Sequence, residues 1–422
     1  MKILPALLMA SLAWAADTPT QRQLLTNARG MKTDERIALF DKAVKEDSSD
    51  LQLKTALASA FIQKLRETGD GGYLIRASGL VASVLETDPG FMQAKRLRCE
   101  VEMNLHHFQK VADYAEGMLA GDPSDSEMLG LLGDAQMELG QYDRAGKTYE
   151  RMTSIGGNLF SYNRLAYYQF VTGHADTALA WMAQAIAAGG RSPENEAWCD
   201  SEMGDMLFKL GQLVNAEYAY KAALDKFPGY HRAHAGLAKV LAGRGDWKGA
   251  ITHAKAAQAV VPLPEYAGLL ELFYEKSGDK AKAAEQRDVM DVVERLMAAN
   301  GEKANRTLAL IYADAGRKLP RALELAKAEF EARDDVYSYD ALSWVLFKNG
   351  KLAEARRASQ KALALGTPEP AFYFHAGTIE LADGDPEQGR SHLEKAFALN
   401  PVFDARNAPL AALALKQFSA RQ

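Results

Sequence analysis

Residues 126–155 read SEMLGLLGDAQMELGQYDRAGKTYERMTSI. In the first half, Leu129, Leu132, Gly133, Gln136 and Leu139 recur at helical spacing and form one packing stripe. Gly133 costs a helix interior about 1 kcal/mol, and its missing side chain lets a neighbouring helix come close. Gly140-Gln141-Tyr142 then ends the helix, glycine being the residue that most readily takes the left-handed C-terminal conformation. From Asp143 to Ile155 a second stripe carries Ala145, Tyr149 and Met152. Small Ala145 is expected to face Gly133, with Tyr142 filling the turn. Such a pair cannot bury both of its faces alone, so it must stack on copies of itself.

The copies are present. Glycines that end one apolar-periodic stretch and precede another fall at Gly140, Gly173, Gly211, Gly245, Gly278, Gly316, Gly350 and Gly384. Their spacings are 33, 38, 34, 33, 38, 34 and 34 residues, a period that marks a repeat architecture. One step of 34 back from Gly140 reaches His106, between Leu105 and Phe108. Five residues after the glycine stands Ala145, Ala178, Ala216, Ala250, Ala283, Ala355 or Gly389. The unit with Gly316 breaks step: Pro320 and Arg321 intervene, and Ala322 arrives one place late. Its second helix is expected to tilt. Pro89, Pro123, Pro228, Pro262 and Pro401 close several units.

Leu132-Gly133, Gly140, Tyr142, Ala145 and Tyr149 resemble the tetratricopeptide repeat signature. Leu237, Gly245, Trp247, Ala250 and Pro262 resemble it too, as do Met203-Gly204, Gly211, Ala216, Tyr220, Ala223 and Pro228, and Leu342, Gly350, Ala355 and Ala362. The resemblance covers residues 91–401 in nine units. It implies an all-α fold, a right-handed superhelical solenoid of stacked helix-turn-helix repeats. The segment 335–403 also resembles the closing part of exported bacterial proteins of this family. Residues 17–88 read as N-terminal helical pairs, divergent repeats or a cap, around the turn Gly69-Asp70-Gly71-Gly72. Residues 402–422 read as a C-terminal capping helix, since solenoids need soluble ends.

Residues 1–15 read as a signal peptide: Lys2, an apolar run from Ile3 to Trp14, and Ala13-Trp14-Ala15 before Ala16. The run is too short to cross a bilayer, and no later segment approaches the length that would. The mature chain is therefore expected to be exported, periplasmic or secreted, without an integral membrane span. With 422 residues, 48% hydrophobic and 25% charged, the composition is globular and of about three domains' length. A net charge of -5 argues against nucleic acid as partner. Two cysteines, Cys99 and Cys199, sit in first helices three repeats apart, too far for a disulfide, and are expected to be packed free thiols.

Several stretches imitate chemistry. Gly140 to Thr148 looks like a phosphate loop, but five residues rather than four separate the glycines and Gly146 falls inside a helix. His231, His234 and His253 lie on one hairpin without a third ligand at zinc spacing, and His106-His107 is a turn pair. No H-E-x-x-H, G-x-S-x-G or dinucleotide fingerprint occurs. Neither catalytic residues nor a cofactor or metal is expected.

The resemblance implies that first helices line a concave surface. Inward residues then lie 13, 10, 6, 3 and 2 places before each turn glycine. For Gly173 these are Phe160, Asn163, Tyr167, Phe170 and Val171; for Gly211 they are Trp198, Ser201, Asp205, Phe208 and Lys209. A second cluster, from Gly350 and Gly384, comprises Tyr337, Asp340, Trp344, Phe347 and Phe374. Aromatics with a few polar groups are what recognition surfaces use. Eukaryotic chaperone-binding members of the family clamp a peptide carboxylate with Lys, Asn and Arg; the inward set here, with Glu127, Asp134 and Asp205, does not reproduce that clamp. The expected function is a non-catalytic scaffold binding a partner protein's peptide or helix. The alternative is an envelope chaperone or assembly factor for unfolded client segments.

Mass spectrometry of protein recovered from the cell envelope should find the mature N-terminus near Ala16. An intact Met1 end there would refute export by this segment.

Overall fold

A computed structural model describes residues 20–190, 192–299 and 304–419; the expected signal segment lies outside them. The chain divides into two compact units, residues 1–65 with 71–97 and residues 66–70 with 98–422. The first contains α1 (Gln21–Asn27), α2 (Thr33–Glu46), the bulk of α3 (Leu51–Thr68) and α4 (Gly72–Thr87). Thr20 opens α1 with a capping box to Gln23. Phe40, Leu53, Leu57, Phe61, Ile62, Val81 and Val84 are among its buried apolar side chains.

Beyond that, helices alternate in hairpins: α5 (Met92–Asn104) and α6 (Phe108–Gly121), α7 (Ser126–Glu138) and α8 (Tyr142–Ile155), α9 (Leu159–Val171) and α10 (Ala175–Ala188). Next come α11 (Pro193–Lys209) and α12 (Leu213–Lys226), α13 (His231–Gly243) and α14 (Trp247–Val260), α15 (Pro264–Ser277) and α16 (Lys280–Ala299). The series ends with α17 (Arg306–Asp314) and α18 (Leu319–Ala332), α19 (Val336–Lys348) and α20 (Leu352–Ala362), α21 (Pro370–Ala382) and α22 (Pro386–Leu399), then α23 (Asn407–Ser419). The fold is an all-α repeat solenoid. Among the described residues no helix is long and apolar enough to cross a membrane.

All eight turn glycines take a positive φ, from 63° at Gly316 to 87° at Gly173. His106 has φ 60°, so the left-handed turn is kept even where glycine is not. Lys318 is the other non-glycine residue at positive φ, 46°, among the described residues; it absorbs the extra residue after Gly316. Within hairpins the mid-helix glycines receive a tyrosine. A Cβ on Gly133 would overlap the Tyr149 ring, and one on Gly204 would lie 2.6 Å from Tyr220. Gly133 thus faces Tyr149, which is larger than the Ala145 expected there. The same tyrosines bond inward, Tyr149 Oη to Asp134 at 2.9 Å and Tyr220 Oη to Asp205 at 2.6 Å.

In the second unit the superhelix closes on itself. Val336 N–H donates to Tyr142 Oη (2.9 Å), Thr367 Oγ1 to Val171 O (2.5 Å) and Asn400 Nδ2 to Phe208 O (2.6 Å), across 194, 196 and 192 residues. At a 34-residue period this is a turn of about 5.7 repeats. Ion pairs Arg333–Glu138 (3.0 Å), Lys209–Glu369 (2.9 Å) and Arg406–Glu275 (3.1 Å) follow the same seam. An apolar cluster spans it, joining Met137, Tyr149, Leu165 and Val171 to Val336, Ala362 and Phe372. Three turn glycines meet the returning backbone: a Cβ would lie 2.8 Å from Leu365 O at Gly173, 2.6 Å from Leu399 O at Gly211, and overlap Asp334 O at Gly140. At Gly350 a Cβ would meet open space.

Gly350→Ala should therefore cost about 1–2 kcal/mol, the left-handed penalty alone. Gly140→Ala should cost clearly more, because the seam must also shift. Urea midpoints of the two variants check the order. A second expectation concerns acid. Burial, then Arg232, pulls His231 down to about 4, while its Nδ1 bonds Tyr266 Oη at 2.6 Å. The unfolded chain binds the proton first, so this stability is full above pH ~6.5 and is lost as pH falls toward 4. Wild type should be roughly 2 kcal/mol less stable at pH 5 than at pH 7 from this group alone. A His231→Gln variant with the same pH slope would refute the assignment.

Candidate functional site

Where the two turns meet, the first helices of eight successive hairpins, α7 to α21, enclose a cavity of about 850 Å³. Eight of the residues expected on the inner wall line it: Phe160, Asn163, Tyr167, Trp198, Asp205, Phe208, Lys209 and Tyr337. They come from both turns, so the wall is not the open concave face expected from one turn. The later helices lie across it.

The other expected residues sit elsewhere. Phe170 (1% exposed) and Ser201 (0%) are packed between hairpins. Asp340 is buried and holds His375 Nδ1 at 2.9 Å. Trp344 and Phe374 are buried, their ring centroids 5.6 Å apart, and half-buried Phe347 stacks on Trp344 at 5.4 Å. These three line a separate cavity of about 230 Å³ beside α23. The second cluster thus splits between two cavities, with Tyr337 in the large one.

The large cavity is polar as well as aromatic, and its charges are mostly paired. Arg164 Nη2 meets Asp134 at 2.8 Å, Arg232 meets Glu202 at 2.5 Å, and Lys239 meets Glu265 at 2.7 Å. Lys209 Nζ lies 2.9 Å from Glu369, 5.4 Å from the Tyr337 ring centre and 5.5 Å from that of Phe170. Burial works against its ammonium, yet Glu369, with Tyr337 and Asp205, carries its pKa upward overall. At the seam, burial pushes the Glu138 carboxyl up to about 7 against the pull of Arg333.

Three wall residues escaped the inward template through one offset. Arg164, Glu202 and His375 lie nine places before Gly173, Gly211 and Gly384, one helical step from the position at ten. Repeating charged or aromatic types at that offset is the signal that would have found them. Phe403 and Asp404 lie on the segment before α23 and line the cavity without any periodic signal.

The imitative motifs are structural. Gly146 lies inside α8, where a Cβ would lie 2.6 Å from the Tyr168 ring. His234 and His253 share a hydrogen bond, Nδ1 to Nδ1 at 2.9 Å, whereas His231 turns to Tyr266. Cys99 and Cys199 are buried free thiols, raised by burial to about 11 and about 12.

Family models described as tetratricopeptide repeat match residues 126–155, 207–272 and 341–402. No curated protein matches the chain in sequence. Among solved structures it is similar to yeast Tom70, with TM-score 0.41, 12% identity and 95% of each chain covered. It is also similar to MamA (TM-score 0.34, 19% identity, 40% of this chain and 97% of that one). A tetratricopeptide repeat protein from Parabacteroides merdae gives TM-score 0.34 and 17% identity over 61% of this chain and 97% of that one. Repeats of this kind typically serve as non-catalytic scaffolds for protein interaction. Residues 126–155, 207–272 and 341–402 thus carry tetratricopeptide-type repeats.

Proposed function

We propose that this chain is an exported, non-catalytic scaffold that seats a short segment of a partner protein between its superhelical turns. The supporting observation is the cavity itself, where Phe160, Tyr167, Trp198 and Phe208 of one turn meet Tyr337 of the next. Aromatic rings with fixed polar groups are the usual anchors of an interface. The volume limits the guest. A helix is at least 10 Å across, so about 850 Å³ holds about 11 Å of it, roughly seven residues. A short extended segment or the end of a helix fits; a long amphipathic helix does not. Export rests on the N-terminal pattern, Lys2 to Ala16, and a protein partner accords with the net charge of -5.

Affinity capture from the source cell extract, with wild-type and variant mature protein, tests this reading. Trp198→Ala should weaken the captured complex by about 2 kcal/mol, close to thirtyfold, since half-buried Trp198 lines the cavity. Phe170→Ala, at a fully packed site, should lose roughly 3–5 kcal/mol of stability and leave affinity per folded molecule unchanged. A Trp198→Ala protein that holds its partner as tightly as wild type would overturn the assignment.

A further inference from the structure

The seam covers only the earlier turns of the second unit. Gly140, Gly173 and Gly211 meet returning backbone between α18 and α19, between α20 and α21, and at the end of α22. Gly316, Gly350 and Gly384 turn with the same positive φ, 63°, 75° and 85°. Yet a Cβ on any of these three would meet nothing within 4 Å among the described residues. The turns α17–α18, α19–α20 and α21–α22 therefore form a ledge built like the covered one, with its glycines open.

The ledge also keeps the chemistry of a covered turn. Lys209, two residues before Gly211, pairs across the seam with Glu369 at 2.9 Å. Lys348 stands two residues before Gly350, with its ammonium 5.0 Å from the Trp344 ring centre. No carboxylate partner reaches it among the described residues. Phe208, three residues before Gly211, is buried, whereas its counterpart Phe347, three before Gly350, is only half-buried. Leu381 holds the same place before Gly384 and is half-buried too. Leu410 of α23 lines the small cavity beside Phe347 and Leu381, and it is 52% exposed. One helical turn on, Leu413 is 55% exposed. This is apolar surface of the kind that the seam buries elsewhere.

The opposite edge of the same unit carries what covers such a ledge. Within the chain the covering is done by the segments that join successive hairpins. Three segments of that kind, α6–α7, α8–α9 and α10–α11, come earlier in the chain, and residues 121–124, 156–158 and 189 there are exposed. Asp122 on the first of them is an exposed carboxylate, of the type that Glu369 offers to Lys209. We propose that the ledge seats this loop edge of a second copy of the chain, head to tail, so that the seam continues from one molecule into the next. Two different surfaces then meet, and a contact of this kind grows into an open chain of copies unless its rotation closes a ring. Association between copies is weaker than closure within one, because no linker holds the edges together. The ledge lies outside the large cavity and needs no guest there.

Sedimentation velocity of the full mature chain, over a concentration series ending near about 1 mM, tests this. The weight-average mass should rise past that of a dimer as concentration increases. Lys348→Glu would set a carboxylate against Asp122, and Asp122→Lys would set two ammonium groups together. Each variant alone should need at least about tenfold more protein to assemble. An equimolar mixture of the two should assemble as wild type does, since each edge again meets its opposite charge. Melting curves check that both variants fold; should either not, Leu413→Ser replaces it as a ledge variant with the same expected loss. A monomer throughout the series would overturn the proposal, as would a dimer that grows no further, which marks a two-fold contact. Variants that assemble like wild type, or a mixture that regains nothing, would overturn it as well.

Discussion

The amide of Asp334 donates to the carbonyl of Glu138 at 3.0 Å, and the structure of the second unit depends on the contact that this bond marks. A stack of helical hairpins needs only neighbours. Here the stack also meets itself one turn later, backbone against backbone, at turn glycines that have no Cβ to obstruct it. The hydrogen bonds of the seam are each worth only about 0.5–1.5 kcal/mol net, so they align the turns more than they bind them. The cluster of Met137, Tyr149, Leu165 and Val171 with Val336, Ala362 and Phe372 supplies the apolar burial. Without closure, the inner faces of α7 to α15 would stand in water as an open groove.

Closure also explains the chemistry of the interior. A groove facing solvent can carry charges at little cost, but a wall facing another wall cannot. Hence the pairing of Arg164 with Asp134, Arg232 with Glu202 and Lys209 with Glu369, each across different hairpins. Breaking such a pair on one side leaves a buried charge, which costs far more than the pair contributes. The tyrosines that fill the mid-helix glycines reach through to this layer, so packing between helices and polarity of the wall are coupled through Tyr149–Asp134 and Tyr220–Asp205.

What could be read from the residues follows from range. The hairpin, its turn and the register were legible because each is a local matter, set by Gly140 and the apolar stripes on either side. Even His106 fell at a left-handed position that the period alone indicated. Eight wall residues were legible for the same reason, since a first helix has one inner face. The return of the chain was not, because pitch is the sum of small rotations over nearly six repeats, and no residue encodes that sum. So Phe170, Ser201, Trp344 and Phe374 read as wall residues and are packed, while Phe403 and Asp404 carried no periodic signal of the wall they line.

A solenoid normally tolerates gain or loss of a repeat, since each unit touches only the next. This one has a clasp. Gly140, Gly173 and Gly211 must each meet a particular carbonyl one turn on, and an added 34-residue unit between them and the seam would displace every meeting point at once. The number of repeats in the turn is therefore held fixed by geometry, and the usual freedom of a solenoid to drift in length is withdrawn from residues 138–400. Contacts nearly 200 residues apart also lengthen the route to the native state, because loop closure must precede them. The unit behaves less as a string of modules than as one cooperative body.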